Sequence, residues 1–324
     1  MLTTEGLDEA EAIVRRHVAP TPQYAWPLLA AELGAEVWVK HENHTPTGAF
    51  KVRGGLVYVD RLRRERPDVP GIITATRGNH GQSIAFAGRV AGIPVTVLVP
   101  HGNSPDKNAA MSGFGADVVV HGHDFQAARE RAGELAARDG LVSVPSFHPD
   151  LVAGVATYAR ELFDAAGELD AVYVGVGMGS GICGLMGVRD LLGLRTEIIG
   201  VVAEQAPATQ LSFDAGRVVS TERADTFIDG VACRVPDEEA IAAIVAGAAR
   251  IVAVSEDDCA EAIRTLLRTT HNLAEPGGAV ALAGLLTSAE RDRQRGRRVG
   301  VVLSGGNLDG PLLAEILAGR TPVP

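Results

Sequence analysis

Short apolar runs and amphipathic stretches alternate along most of the chain. "EVWVK" ends at Lys40, "GIITAT" covers 71–76, "VTVLVP" covers 95–100 and "DVVVHG" covers 117–122. Further runs cover 171–176 and 197–203, and two more lie in "RIVAVSE" and "RVGVVLS". They are rich in valine and isoleucine and nearly continuous, which predicts strands covered on both faces, as in parallel sheets. The helical period fills the intervals: "NHGQSIAFAGRVAG", "DKNAAMSGFG", "DFQAARERAGELAARDG", then 151–166, 181–193, 256–271 and about 277–291. Asp124 stands where an N-cap is expected. At least seven parallel-type strands alternating with helices predict an α/β chain of two doubly wound lobes with mostly parallel sheets. The compact run 71–149 is expected to form the smaller lobe. Residues 1–70 and 150–324 are expected to form the larger one, with a ligand in a cleft between lobes.

Four polar or glycine-rich segments interrupt this pattern at strand ends or helix starts, where open α/β sheets bind ligands. They are "HTPTGAFKVRG" (44–54), "TRGNHGQS" (76–83), "GMGSGICG" (177–184) and "SGGN" (304–307). The third contains G-x-G-x-x-G at Gly179, Gly181 and Gly184, and Glu204 follows twenty residues later. That spacing is a dinucleotide fingerprint. It is equally a loop whose backbone N–H groups can approach any phosphate at a helix N-terminus.

Composition narrows the choice. The chain has 324 residues and a formal net charge of -10, which argues against nucleic acid as a partner. No apolar run reaches the ~18 residues of a membrane span, and Met1 to Asp8 lacks a basic leader, so a cytoplasmic location is expected. Cys183, Cys233 and Cys259 are odd in number and too far apart for a chelating pair. Of the 30 basic residues only Lys40, Lys51 and Lys107 are lysine. Arginine cannot supply a neutral amine nucleophile near neutral pH, whereas lysine can. Lys51 follows Pro46, Thr47 and Gly48 at an expected helix start, where positive charge is disfavoured. Lys40 and Lys107 lack such neighbours and read as structural.

Together the four segments resemble the fold type II (tryptophan synthase β-like) enzymes that use pyridoxal 5'-phosphate. Within these the chain is most similar to the serine/threonine dehydratase and serine racemase group. The resemblance spans about Thr21 to Asn307. It implies that Lys51 is the Schiff-base residue and that Phe50 packs behind the cofactor ring. Gly177, Met178, Gly179, Ser180 and Gly181 stand where the family has a tetraglycine phosphate loop. Ser304 should face the pyridine nitrogen, Asn79 the 3'-oxygen, and Glu275 in "NLAEPGGA" the ring's edge, although a helix cap is an alternative for that carboxylate. Thr76, Arg77, Gly78, Asn79, His80 and Gly81 should form the substrate loop, with His80 a packed, hydrogen-bonded residue rather than a base. A dinucleotide reading leaves Lys51 and "SGGN" unexplained.

Two departures from the family stand out. Arg77 replaces the second-face serine of the racemases, and its high pKa disqualifies it as an acid/base. In "AEQAPATQ", Glu204 and Ala208 match the family's cation loop, but Gln210 replaces its aspartate, which weakens a hard-cation site. The implied activity is elimination of water from a 3-hydroxy-amino acid, threonine or serine by default, giving a 2-oxo acid and ammonia. Alternatives are a dehydratase for 3-phenylserine or 3-hydroxyaspartate, an amino-acid racemase, and a catalytically idle binding protein. The resemblance also implies a homodimer acting on a small-molecule substrate. The chain ends soon after "SGGN", which suggests a catabolic enzyme without the regulatory domain of biosynthetic threonine dehydratases.

Overall fold

A computed structural model describes residues 2–323. Ten strands form in chain order: β1 Gln23–Ala25, β2 Glu36–His41, β3 Ile72–Ala75, β4 Val95–Val99, β5 Asp117–Val120, β6 Val142–Ser143, β7 Ala171–Gly175, β8 Glu197–Ala203, β9 Arg250–Val254 and β10 Arg298–Leu303. They make a six-stranded sheet of order β1-β2-β10-β7-β8-β9 and a four-stranded sheet of order β5-β4-β3-β6. Every pairing is parallel except β1 with β2. The valine-rich runs are thus parallel strands of a doubly wound α/β chain, as their continuity predicts. β1 escapes that reading because it is three residues long and polar, and β6 because it has two.

The chain divides into two compact units: Met1–Thr4, Pro20–His44 and Ala156–Pro324 form one, Glu5–Ala19 and Thr45–Val155 the other. The second therefore takes in 5–19, 45–70 and 150–155 besides the expected 71–149. Arg61, on the helix Lys51–Glu65, shows why. It bonds Glu9 at 2.6 Å and pairs with Asp150, tying three stretches of chain together. Ser83 Oγ also donates to the Lys51 carbonyl at 2.6 Å.

Strand order fixes where ligands can bind. In the first unit the chain runs β7 to β8 to β9 in one direction and then returns to place β10 on the other side of β7. In the second it runs β3 to β4 to β5, then places β6 on the other side of β3. The loops after β7, β10 and β3 thus leave at points where strand order reverses, the places at which open α/β sheets bind ligands. They are the loops at Gly177, Ser304 and Thr76.

The first unit buries Val37, Val39, Tyr173, Ile199, Val201, Val299 and Val301 of its sheet against Val280, Leu282 and Ile263 of two helices. Those helices are Glu256–Thr270 and Pro276–Leu286. The helix expected over 277–291 is broken at Thr287, whose backbone is extended and whose Oγ1 donates to the Gly284 carbonyl at 2.9 Å; a second helix runs Ser288–Gln294. Asp124 caps the helix Phe125–Asp139 by accepting from Ala127 N–H at 2.8 Å. Among the described residues, no helix is long and apolar enough to cross a membrane.

The first unit holds one fully buried ion pair and one partly buried ion-pair network. Lys40, fully buried, donates to Glu161 at 2.5 Å, to the Thr21 carbonyl at 2.9 Å and to Gln23 at 2.6 Å. Arg250 joins Glu290 at 2.5 Å and Glu197 at 2.7 Å, and Tyr173 O–H also donates to Glu290 at 2.5 Å. Burial alone would raise the Glu290 carboxyl, but the hydrogen bonds from Arg250 and Tyr173 hold it below the usual carboxylate range. Burial, then Glu290, pushes the Tyr173 phenol up. Removing one partner of such a pair strands the other charge and costs about 3–5 kcal/mol. Arg250→Ala should lose about that much at neutral pH, read as a lower urea midpoint. Because the folded Glu290 pKa is depressed, its contribution is present above the unfolded value and is lost as pH falls. The gap between variant and parent should therefore narrow below roughly pH 4. A gap that stays constant into acid would mean Glu290 is not the group stranded.

Candidate functional site

Each unit carries one set of the expected site residues. In the first, β7 ends at Gly175 and the loop 176–179 leads into the helix Ser180–Leu191. Gly179 is its N-cap with φ 98°, a left-handed conformation that suits glycine, and its carbonyl accepts from Cys183 N–H at 3.0 Å. The helix start leaves first-turn N–H groups without intrahelical acceptors and adds a favourable dipole, which together make an anion cradle. Tyr158 O–H donates to the Gly181 carbonyl at 3.2 Å and steadies that turn. Met178 lies 3.7 Å, sulfur to sulfur, from the buried Cys233. The three cysteines are free, and burial raises the thiols of Cys183 to about 12 and Cys233 to about 11.

The cradle is held by backbone packed on backbone. A Cβ on Gly177 would lie 2.6 Å from the Gly230 carbonyl oxygen, and one on Gly230 would lie 3.0 Å from the Gly277 Cα. A Cβ on Gly278 would collide with the Gly305 carbonyl. These contacts bring the phosphate-loop candidate, the turn Asp229–Val231, the start of the helix Pro276–Leu286 and the "SGGN" loop together in one unit. Ser304 Oγ donates to the Gly277 carbonyl at 3.0 Å. Glu275 occupies the N-cap position of the Pro276 helix and is buried, yet its carboxylate makes no capping bond. Its backbone N–H donates to the Gly305 carbonyl at 3.1 Å.

In the second unit Lys51 opens the helix Lys51–Glu65, half-buried, with Nζ 4.9 Å from the centre of the Phe50 ring. Thr45 and Thr47 hold the preceding turn through hydroxyl bonds to the Ala49 carbonyl at 2.8 and 3.3 Å. After β3, Thr76 Oγ1 accepts from Gly78 N–H at 3.0 Å, so that N–H is committed within the loop. Asn79, His80 and Gly81 form the first turn of the helix Asn79–Ala91. His80 is buried, and its Nε2 has no hydrogen-bond partner among the described residues. Burial, then the nearby Lys51 charge, pushes this imidazole down to about 3, against an opposing backbone bond to Val144. Arg77 is exposed.

Residues 14–305 match the family described as pyridoxal-phosphate dependent enzyme. The chain belongs to that family. It is similar to the L-threonine ammonia-lyase of Thermotoga maritima, 31% identical over 318 residues that cover 98% of this chain and 78% of that protein. It is similar to the L-threo-3-hydroxyaspartate ammonia-lyase of Saccharomyces cerevisiae, 31% identical over 98% of this chain and 96% of that one. Among solved structures, the threonine deaminase of T.th. superposes with a TM-score of 0.88 at 31% identity, covering 95% of this chain and 99% of that one. The chain is thus a pyridoxal-phosphate-dependent enzyme of the lyase class, with the fold type II architecture.

The residues present fit that cofactor. A glycine-rich loop at a helix N-terminus, with Gly177 packed against the Gly230 carbonyl, suits a phosphate, and a primary amine on the first turn of another helix suits an aldehyde. The cation loop fits less well. Glu204 is exposed, the Ala208 carbonyl accepts from Ser212 Oγ at 2.6 Å, and Gln210 reaches only the Ile251 carbonyl at 3.4 Å. Among the described residues no group of three or more His, Cys, Asp or Glu side chains could hold a metal ion.

Two features were not legible in the sequence. Gly230, in "FIDGVA", reads as an ordinary turn glycine until its contacts with Gly177 and Gly277 are known. Lys107 reads as structural, yet a Cβ on Gly78 would lie 2.9 Å from Lys107 Cδ and 3.7 Å from its Nζ. Its ammonium therefore lies close to the substrate-loop candidate. The scarcity of lysine was the only available signal.

Gly278→Ala should push the Gly305 carbonyl away and displace Ser304. Overpacking of this kind costs ~1–3 kcal/mol, so the apparent Kd for pyridoxal phosphate, titrated by absorbance, should rise about tenfold or more. An unchanged Kd would show that the loop yields without disturbing the cradle. His80 supplies a pH test. A histidine buried in neutral form loses stability as pH falls below its unfolded value of roughly 6.5, where the unfolded chain binds a proton that the folded one refuses. His80→Asn should flatten the decline in thermal midpoint between about pH 6.5 and 4, and an unaltered decline would place its origin elsewhere.

Proposed function

We propose that the protein is an ammonia-lyase that removes water from a 3-hydroxy-amino acid and yields a 2-oxo acid and ammonia. Threonine and serine are the simplest substrates. The same reading takes it to act in the cytoplasm as a homodimer. The observation that carries the proposal is Lys51, a half-buried primary amine on a helix's first turn, in a chain whose other unit offers a glycine cradle for a phosphate. A catalytically idle binding protein would need neither that lysine nor the hydroxyl of Ser304.

Pyridoxal phosphate, when bound, supplies the electron sink that stabilises negative charge at the substrate α-carbon. The chain's own residues do the rest. Lys51 holds the cofactor's aldehyde end and, once released, takes the α-proton on Nζ. Residues 177–181 would hold the phosphate through backbone N–H groups, and Asn79 would bond the 3'-oxygen. Ser304 would offer its hydroxyl oxygen to the ring nitrogen without forcing that nitrogen to stay protonated, which suits elimination. On the same reading Glu275 would serve the ring's edge and Phe50 would pack against the ring. Thr76 and the first-turn N–H groups of the Asn79 helix bind the substrate carboxylate. His80, held neutral, is a packed loop residue rather than a base. Arg77 stands where the racemases would need a second-face acid/base and a guanidinium is a poor one, so elimination should far outpace racemisation.

Borohydride reduction of the holoenzyme followed by peptide mapping should place a pyridoxyl group on Lys51. Lys51→Ala should abolish both the adduct and release of 2-oxo acid. Chiral chromatography of residual L-serine should show negligible D-serine. A label on Lys40 or Lys107 would overturn the assignment of the lysine, and D-serine formed as fast as 2-oxo acid would overturn the reaction type.

A further inference from the structure

The sheet end beside Ser304 carries polar side chains that the roles above leave unused. β2 ends at His41, which is paired in register with Leu303, the last residue of β10. The chain then turns through Glu42–His44. His41 is 1% exposed, and its Nε2 accepts from Trp26 Nε1–H at 3.0 Å. Burial, then the neighbouring His44, pushes the imidazole down to about 4, with Asn43 pulling the other way. The ring is therefore neutral near neutral pH, and with Nε2 accepting, its one proton sits on Nδ1. That Nδ1 is buried without a hydrogen-bond partner among the described residues, and so is Asn43 Oδ1. One is a donor in need of an acceptor. The other, two residues along the chain, is an acceptor in need of a donor. Asn43 Nδ2 lies 3.3 Å from the Leu273 carbonyl, which can only accept, so the amide's orientation is fixed.

Asn43 also bears on the loop after β10. A Cβ on Gly306 would lie 3.2 Å from Asn43 Cβ and 3.0 Å from the Leu273 carbonyl oxygen. The segment that supplies Leu273 begins at His271, whose φ of 55° is left-handed, the one such non-glycine residue among those described. Such strain persists only where the surroundings over-determine it. Here Asn272 Oδ1 lies 2.7 Å from His44 Nε2, and Glu275 N–H donates to the Gly305 carbonyl at 3.1 Å.

We propose that His41 and Asn43 act as a latch that sets the positions of Ser304 and Glu275. A small rotation of the Asn43 side chain brings Oδ1 onto His41 Nδ1–H, and both buried groups are then satisfied. Trp26 fixes the tautomer that makes this bond possible. Held in this way, Asn43 braces Gly306 on one side and the Leu273 carbonyl on the other, and the segments to which they belong carry Ser304 and Glu275. His41 is thus a positioning residue that acts through Asn43. The inference rests on the reading above, in which Ser304 and Glu275 serve the cofactor ring of an ammonia-lyase.

The test separates the two nitrogens of His41. His41→Asn keeps a donor at the place of Nδ1 and loses the acceptor for Trp26. His41→Gln keeps an acceptor at the place of Nε2 and loses the donor for Asn43. A merely structural role, anchoring Trp26, would make His41→Asn at least as harmful as His41→Gln. A latch makes His41→Gln the worse. Its apparent Kd for pyridoxal phosphate, read by absorbance, should exceed that of His41→Asn by about 2- to 10-fold, the scale of one hydrogen bond. Its kcat for 2-oxo acid release from L-serine should be lower by a similar factor, with KM nearly unchanged. Nuclear magnetic resonance of the full-length chain with isotope-labelled histidine nitrogens gives a readout independent of catalysis. His41, identified by the signal lost in His41→Phe, should show Nδ1 protonated in the neutral ring. Asn43→Asp should raise its titration midpoint by ~1–3 units, because a carboxylate would then face that N–H. An unmoved midpoint, or His41→Asn impaired as much as His41→Gln, would overturn the latch. A parent holoenzyme that binds pyridoxal phosphate but releases no 2-oxo acid from L-threonine or L-serine would instead overturn the ammonia-lyase reading, and the titration and the Kd values would still decide the latch.

Discussion

Gly230 and Gly277 face each other with no space for a side chain: a Cβ on either would lie 3.0 Å from the other's Cα. This close approach is the constraint on which the first unit's ligand-binding end depends. Through Gly230 the constraint reaches the loop after β7, and through Gly278 and Gly305 it reaches the loop after β10. The two loops leave at one reversal of strand order, but topology alone brings them near, not into register. Backbone-to-backbone contact adds that precision, since main-chain atoms have no rotamers with which to absorb an error. Ser304 inherits its position from this arrangement, as its 3.0 Å bond to the Gly277 carbonyl shows.

The second unit solves a similar problem with side chains. The first turns of the helices Lys51–Glu65 and Asn79–Ala91 are joined by Ser83 Oγ on the Lys51 carbonyl, and the turn before Lys51 is tied by two threonine hydroxyls. A reactive amine must be held in place yet remain able to change bonding partners. Fixing its backbone through hydroxyl bonds while leaving its stem half-buried achieves both. His80, kept neutral beside it by burial, avoids placing a second titrating charge next to that amine.

The strands that carry these loops were legible because their valine and isoleucine runs are continuous, and Asp124 marked a helix start by local chemistry that the structure repeats. Other features depended on partners far away in sequence. β1 is polar and three residues long, and it is a strand because β2 lies beside it. The placement of β10 between β2 and β7 follows from pairing across more than a hundred residues. The inclusion of 5–19 and 45–70 in the second unit rests on Arg61 reaching Glu9 and Asp150, which no window of sequence contains. The same holds for Gly230 and Lys107. Each is an unremarkable residue type whose meaning lies in what it touches. The break at Thr287 is not marked in the sequence, because helix-compatible residues stand on both sides of it and neither glycine nor proline stands at the break.

Charge is divided unequally between the two sets of residues. The 177–181 loop contains no basic residue, and the anion cradle there is made of backbone dipoles. The first unit's one lysine, Lys40, is bound to Glu161 in a fully buried pair. Arg77, Lys107 and Lys51, the proposed Schiff-base residue, all belong to the second unit. A phosphate held by dipoles rather than by mobile cations gains its affinity from fixed geometry, so that grip can remain constant while substrates vary. Side-chain charge at the substrate loop is instead changed by single substitutions that leave the cradle untouched. If residues 177–181 hold the cofactor and 76–81 the substrate, as proposed, a chain built this way can alter which amino acid it accepts without altering how it holds its cofactor.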